Sequence, residues 1–301
     1  MRKTLSTTQN TRRILASGEM VSNNTWETGL NNNDLVIGSS GAGKTRNYVK
    51  PNLLQANESF IVTDTKGLLF WETAPALRKK GYRIIFMDFT EPALSCGYNP
   101  LDYIRYDRRT GRYNEQDILK IAEALCPVED DSEPFWDHAA RMYIEAMIGY
   151  VLECLPEEEH TLEYVLKLLS GMNTYAKDLF MEHAKECPDS FASRKYLSIR
   201  ATKGAPKMHA SILGILAEKL DPLTAEDVLR MYKKSCRIRF RDIAKRKTAV
   251  FLTVSDTDRS MDRLVSLFYA QALQELCNYA DKEGISGTLP VPIRLYLDDF
   301  A

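Results

Sequence analysis

The run Gly38-Ser39-Ser40-Gly41-Ala42-Gly43-Lys44-Thr45 satisfies the spacing G-x-x-x-x-G-K-[ST] without deviation. Each position has a physical task. Glycines let the backbone turn so that successive N–H groups face phosphate oxygens, at the positive end of the helix that follows. The Lys44 ammonium is expected to bridge β- and γ-phosphate oxygens, and the Thr45 hydroxyl to coordinate Mg²⁺. The eight residues predict binding of a nucleoside triphosphate with magnesium.

Such a loop needs a carboxylate on a neighbouring strand. Pro292-Ile293-Arg294-Leu295-Tyr296-Leu297-Asp298-Asp299 reads as an apolar strand ending in two acids, a Walker B pattern. Asp298 would hold Mg²⁺ through its water shell, and Asp299 would orient or deprotonate the attacking water. Asp64 ends another apolar run, which in a parallel sheet places it at the same edge as the phosphates. There it either assists the metal and water shell or caps a turn. Arg259 and Arg263 follow a further apolar run; a role at a subunit boundary competes with the commoner surface or ion-paired state.

Strands must carry these groups to one edge. Residues 35–37, 60–63, 83–87, 249–254 and 293–297 read as five strands. Their apolar runs lack alternation, which suits a parallel sheet covered on both faces. Helical patterns between several of them predict an α/β layer fold. From Phe135 to about Tyr232 only helical spacing survives, and an inserted all-α subdomain is expected over 131–232. Residues 1–130 and 233–301 are expected to form the discontinuous nucleotide-binding domain. The 16 acidic and 5 basic residues of 120–191 precede 15 basic and 5 acidic ones in 192–247. Either the two stretches are solvated faces that neutralise each other, or the basic one, with Arg237, Arg239, Arg241, Lys245, Arg246 and Lys247, touches phosphates or an acidic partner.

A net charge of −1 gives no global sign of a nucleic-acid binder, so any such surface is local. The six cysteines contain no C-x-x-C pair and the four histidines no ligand spacing, which argues against a disulfide frame or a zinc site. The longest apolar run, 142–155, is broken by Glu145 and Glu153 and reads as a buried helix; the chain reads as soluble.

Five segments, taken in chain order, resemble the type IV secretion-system coupling proteins, the TraG/TraD-like ATPases of conjugative DNA transfer. Gly29-Leu30-Asn31-Asn32-Asn33 leads into the phosphate loop as it does in that family. Val62-Thr63-Asp64-Thr65-Lys66-Gly67 resembles its V-T-D-P-K-G-E, and Gly97-Tyr98-Asn99-Pro100-Leu101 its Y-N-P-L. Phe135-Trp136-Asp137 followed by Ala139-Ala140 resembles the start of its inserted all-α domain, and Leu297-Asp298-Asp299-Phe300-Ala301 its L-D-E-F-A.

The resemblance implies a RecA-like P-loop NTPase that uses ATP and Mg²⁺ and forms a homo-hexamer at the cytoplasmic face of the bacterial cell membrane. It implies as partners single-stranded, relaxase-bound DNA, relaxosome proteins and the type IV secretion channel. Thr65 and Leu68 stand where the family has Pro and Glu, and Asp299 where it has Glu. Against the family's pattern the sequence reads as lacking the membrane-spanning N-terminal region and as truncated after Walker B, where Phe300 and Ala301 follow the second acid. A chain that binds nucleotide without being a competent motor is therefore expected, its catalytic arginine coming from elsewhere. Two alternatives stand beside this reading: an FtsK/HerA-type DNA translocase, and a nucleotide-binding docking adaptor with little hydrolysis.

Overall fold

The computed structural model describes residues 11–129, 132–201, 206–284 and 287–298. A hairpin of β1 (Arg12–Ala16) and β2 (Glu19–Ser22) comes first, followed by the short helix α1 (Thr25–Thr28). After the glycine-rich loop, a π turn over Thr45–Val49 runs directly into α2 (Lys50–Gln55). β3 (Ser59–Thr63), α3 (Leu68–Lys79) and β4 (Arg83–Asp88) complete a crossover. A two-residue hairpin of β5 (Tyr106–Asp107) and β6 (Arg112–Tyr113) leads into α4 (Glu115–Leu125) and α5 (Pro134–Cys154). Next come α6 (Leu162–Ser170), α7 (Ala176–Glu186), α8 (Phe191–Ala201), α9 (Pro206–Leu220) and α10 (Glu226–Lys233). The chain returns through α11 (Phe240–Lys245), β7 (Thr248–Thr253), α12 (Asp262–Glu283) and β8 (Ile293–Tyr296).

Four of the five expected strands form one parallel sheet in the order β4-β7-β3-β8. In register, Ile61 lies opposite Val250 on one side and Leu295 on the other. All five residues of β3 and all six of β7 are buried, so the unbroken apolar runs do reflect cover on both faces. On one face Phe60 packs edge-on to Phe251 and Tyr296, beneath Val49 and Leu53 from the helical turns after the loop and Leu69 and Leu77 from α3. On the other, Ala244, Leu276 and Tyr279 gather with Leu289 and Ile293. The α/β class read from the sequence holds.

The fifth strand does not form. Residues 35–37 take no regular structure, and Leu35 and Ile37 are 88% and 85% exposed. A strand is stabilised by ladder hydrogen bonds and by packing on its faces, and this segment pairs with no described strand while two of its three side chains face solvent. Apolar character alone was the basis of that expectation, and it specifies a strand only where a neighbour is available.

The chain divides into two compact units, one of Met1–Thr90, Ile238–Thr257 and Leu273–Ala301 and the other of Glu91–Arg237 and Asp258–Ala272. The second of these units takes in α4 as well as α5–α10: Ile118, Ile121, Ala122 and Leu125 form the buried face of α4, which packs on α5. α5 also packs on α8, and Gly149 makes that approach possible. A Cβ there would come 2.7 Å from the Phe191 ring and 3.2 Å from the Ala192 backbone.

Charge in this unit follows the neutralising reading. Lys195 meets Glu145 at 2.6 Å, Lys233 meets Glu163 at 2.7 Å, and Lys219 meets Asp137 at 2.8 Å. Arg237 is held 2.7 Å from Asp102, and in the first unit Arg241 is 2.8 Å from Glu275. Much of the basic stretch is therefore engaged by acids of the same unit.

Candidate functional site

The phosphate loop starts from two backbone conditions. Gly41 and Gly43 have φ of 78° and 85°, which side-chain-bearing L-residues rarely adopt. A Cβ at Gly43 would also meet the Asn47 carboxamide at 2.5 Å. The Ala42 N–H donates to the Ser39 carbonyl at 3.1 Å, and the Asn47 N–H to the Gly43 carbonyl at 2.7 Å, so the loop passes straight into helical turns. Those turns are π-helical, a local widening often found at functional positions.

Two side chains named from sequence complete the loop. The Lys44 ammonium folds back along it, donating to the Gly38 carbonyl at 3.0 Å and to that of Ser39 at 3.4 Å. The Thr45 hydroxyl donates to the Asp298 carboxylate, closing a gap of 253 residues in sequence. The two ends read as Walker A and Walker B therefore meet. A hydroxyl and one carboxylate form a hard oxygen donor set that fits magnesium, which keeps waters and takes remaining ligands from phosphates. Among the described residues no cluster of three or more His, Cys, Asp or Glu is placed to hold a metal. Asp299 lies outside the described residues.

Asp64 has a different set of contacts. Its carboxylate accepts the Phe70 N–H at 3.2 Å, its carbonyl accepts the Gly67 N–H at 3.2 Å, and Gly67 turns at φ 65° to start α3. Burial pushes its pKa up, against the pull of backbone N–H groups from Phe70, Leu69, Leu68 and Lys66. This is capping geometry. Asp64→Ala is expected to cost about 1 kcal/mol of stability in a denaturant melt and to leave magnesium-nucleotide affinity unchanged; a parallel loss of affinity would give Asp64 a share in the site.

Arg259 and Arg263 belong to the second unit. Arg259 pairs with Asp262 at 3.0 Å, whereas Arg263 pairs with Glu129 and donates to the Lys219 carbonyl at 2.7 Å. Arg263 is thus in the ion-paired state weighed from sequence.

Sequence reading missed a polar network in the first unit. The Arg13 guanidinium, almost fully buried, donates to Asp34 Oδ1 at 3.0 Å and to Asn32 Oδ1 at 2.9 Å. Arg294 reaches Glu58 at 2.5 Å and lies 3.8 Å from Asp34 Oδ2, and the Tyr48 hydroxyl donates to that same oxygen at 2.7 Å. One signal was legible: Arg294 interrupts the apolar run of its strand, and a charge at such a position needs a partner.

Known proteins share this sequence pattern. The family model described as "Type IV secretory system Conjugative DNA transfer" matches residues 3–301. A conjugal transfer protein TraG of Escherichia coli is 30% identical over 156 residues, 49% of this chain and 24% of TraG. Protein VirD4 of Rhizobium radiobacter is 24% identical over 225 residues, 74% of this chain and 32% of VirD4. The chain thus spans about a quarter to a third of the length of these relatives. Among solved structures, the plasmid coupling protein TrwB in complex with ADP and Mg²⁺ aligns with 94% of this chain and 63% of its own, at 13% identity and a TM-score of 0.44. Among the described residues no helix is long and apolar enough to cross a membrane.

Proposed function

We propose that this chain, which belongs to the type IV secretory system conjugative DNA transfer family, binds ATP with Mg²⁺ and acts in a motor that couples hydrolysis to passing DNA into a secretion channel. The observation that supports this most is the Thr45 hydroxyl on the Asp298 carboxylate, which joins the phosphate loop to the acidic strand end. In this reading the N–H groups of residues 38–45 and the Lys44 ammonium hold the phosphates, while Thr45 and Asp298 hold the magnesium. Bound magnesium neutralises charge on the phosphate oxygens. Lys44 exchanges its loop carbonyls for β- and γ-phosphate oxygens, and Asp299 orients the attacking water.

The same reading makes residues 1–130 and 233–301 the RecA-like part and 131–232 the helical insertion. It gives the protein relaxase-bound single-stranded DNA, relaxosome proteins and the channel at the cytoplasmic face of the membrane as partners. Hexamer neighbours would supply the arginine that stabilises transition-state charge, and Arg263, committed to Glu129 within its own unit, is a poor candidate for that task.

The test is ATP turnover with and without single-stranded DNA, for the wild type and for Asp298→Asn. DNA should stimulate the wild type, and the variant should lose turnover roughly 10- to 100-fold. Nucleotide binding without DNA-stimulated turnover would replace the motor by the docking adaptor.

A further inference from the structure

We propose that Asp34 is a positioning residue of the phosphate loop, its carboxylate tying the segment before the loop to the helical turns after it. The inference rests on the nucleotide-site reading above and goes beyond it to residues no motif names.

A P-loop needs both of its flanks held, because the N–H groups between them must keep their spacing without a side chain to brace them. The downstream flank is registered by helical hydrogen bonds. The upstream flank is not registered by a strand, since residues 35–37 lack ladder bonds to any described residue. Asp34 stands immediately before that segment. Its Oδ2 takes the hydroxyl of Tyr48, three residues beyond Thr45, at 2.7 Å. One carboxylate therefore spans the loop from outside.

The carboxylate is itself anchored from two sides. Arg13 of the hairpin binds it through Nε, and the same guanidinium reaches the Ser22 carbonyl at 3.2 Å and the Asn32 side chain at 2.9 Å. Arg294 of β8, four residues before Asp298, lies 3.8 Å from it and donates to the Asn32 carbonyl at 3.3 Å. Asn52 of α2 closes the ring. Its carboxamide accepts the Ile14 N–H and donates to the Ile14 carbonyl, each at 2.9 Å, and donates to the Tyr48 carbonyl at 2.8 Å. The hairpin, the upstream flank, the helical turns and the strand leading to Asp298 thus share one polar cluster. Burial and then the Asp34 hydrogen bond push the Tyr48 pKa up, so its hydroxyl stays a donor across the working pH range. A group of charges this enclosed contributes little net stability for its desolvation cost, whereas it fixes geometry narrowly.

A role in stability alone must be separated from positioning. Tyr82 supplies the control: it is buried in the same unit, and its hydroxyl donates to the Glu58 carbonyl at 2.7 Å instead of to a residue flanking the loop. The full chain and its Tyr48→Phe, Asp34→Asn, Tyr82→Phe and Lys44→Ala variants are titrated with magnesium-ADP, and their melting temperatures are taken without nucleotide. Tyr48→Phe and Tyr82→Phe should lower the melting temperature by similar amounts. Tyr48→Phe and Asp34→Asn should weaken ADP roughly tenfold, while Tyr82→Phe keeps wild-type affinity. Should Asp34→Asn fail to fold, Tyr48→Phe carries the test alone. Wild-type affinity in Tyr48→Phe, or an equal loss in Tyr82→Phe, overturns the positioning role while leaving the site intact. Equal ADP affinity in wild type and Lys44→Ala removes the site reading itself, and the positioning role with it.

Discussion

Lys44→Ala is expected to weaken magnesium-nucleotide binding by roughly 10- to 100-fold, the range for losing a hydrogen bond to a charged group. Lys44 is the cation among the eight loop residues, and its ammonium is placed by two loop carbonyls, those of Gly38 and Ser39. Moving from neutral carbonyl oxygens to anionic phosphate oxygens turns an ordinary hydrogen bond into a charge-assisted one. Truncation at Cβ leaves the glycine-permitted backbone of Gly41 and Gly43 untouched, so the fold should persist. Calorimetric titration with ADP and magnesium, beside a thermal melt of the same sample, reads both statements. Lost affinity with an unchanged melt is the expected pair. Unchanged affinity would mean that the loop binds no phosphate.

The largest stability effect is expected at Lys219. Its side chain is 11% exposed, and its ammonium lies 2.8 Å from Asp137 and 2.8 Å from Glu129, which also takes Arg263. Burial raises the Asp137 pKa, but the Lys219 hydrogen bond, the Glu129 N–H and nearby positive charge outweigh it and hold the carboxyl below its ordinary value. The Lys219 hydrogen bond, with help from Arg263, likewise holds Glu129 low. Burial opposes the Lys219 charge, and its two carboxylates still raise its pKa.

Depressed carboxylates contribute stability that is present above their unfolded values, about 4, and is lost as pH falls through the folded values. The raised lysine contributes stability that is present below its unfolded value, about 10.4, and is lost as pH climbs through the folded one. Between those limits, Lys219→Met should cost about 3–5 kcal/mol, because it strands a buried carboxylate without its cation. Adding Asp137→Asn should recover part of that loss by removing the stranded charge. Urea melts at pH 7 and pH 4 check this: the gap between wild type and Lys219→Met should narrow at the lower pH. A gap that stays constant would mean that the ion pairs carry none of the difference.

How much of this was legible beforehand depends on the range of the interactions involved. Short-range chemistry was readable. Gly41, Gly43, Lys44 and Thr45 could be proposed as a phosphate loop because backbone freedom, a cation and a hydroxyl are needed within a few residues of each other. The four strands of the sheet could be read because cover on both faces leaves no room for polar alternation, and all of β3 and β7 is buried. The helical region was readable because a 3.6-residue repeat is also local.

Tertiary structure decided the rest. Whether residues 35–37 become a strand depends on a neighbour that supplies ladder bonds, which three apolar side chains cannot encode. Asp64 could be metal helper or cap on sequence evidence, and the placement of the Phe70 N–H on its carboxylate is a property of the turn. Sequence left the basic stretch either neutralised by acids or free to meet phosphates, and folding sets Glu145, Glu163, Asp137 and Asp102 opposite three of its lysines and one arginine. The cluster of Arg13, Asp34, Tyr48 and Arg294 draws on residues up to 281 positions apart, from Arg13 to Arg294. Charges so distant in sequence have no periodicity to reveal them, because only folding brings them into a medium where pairing is obligatory.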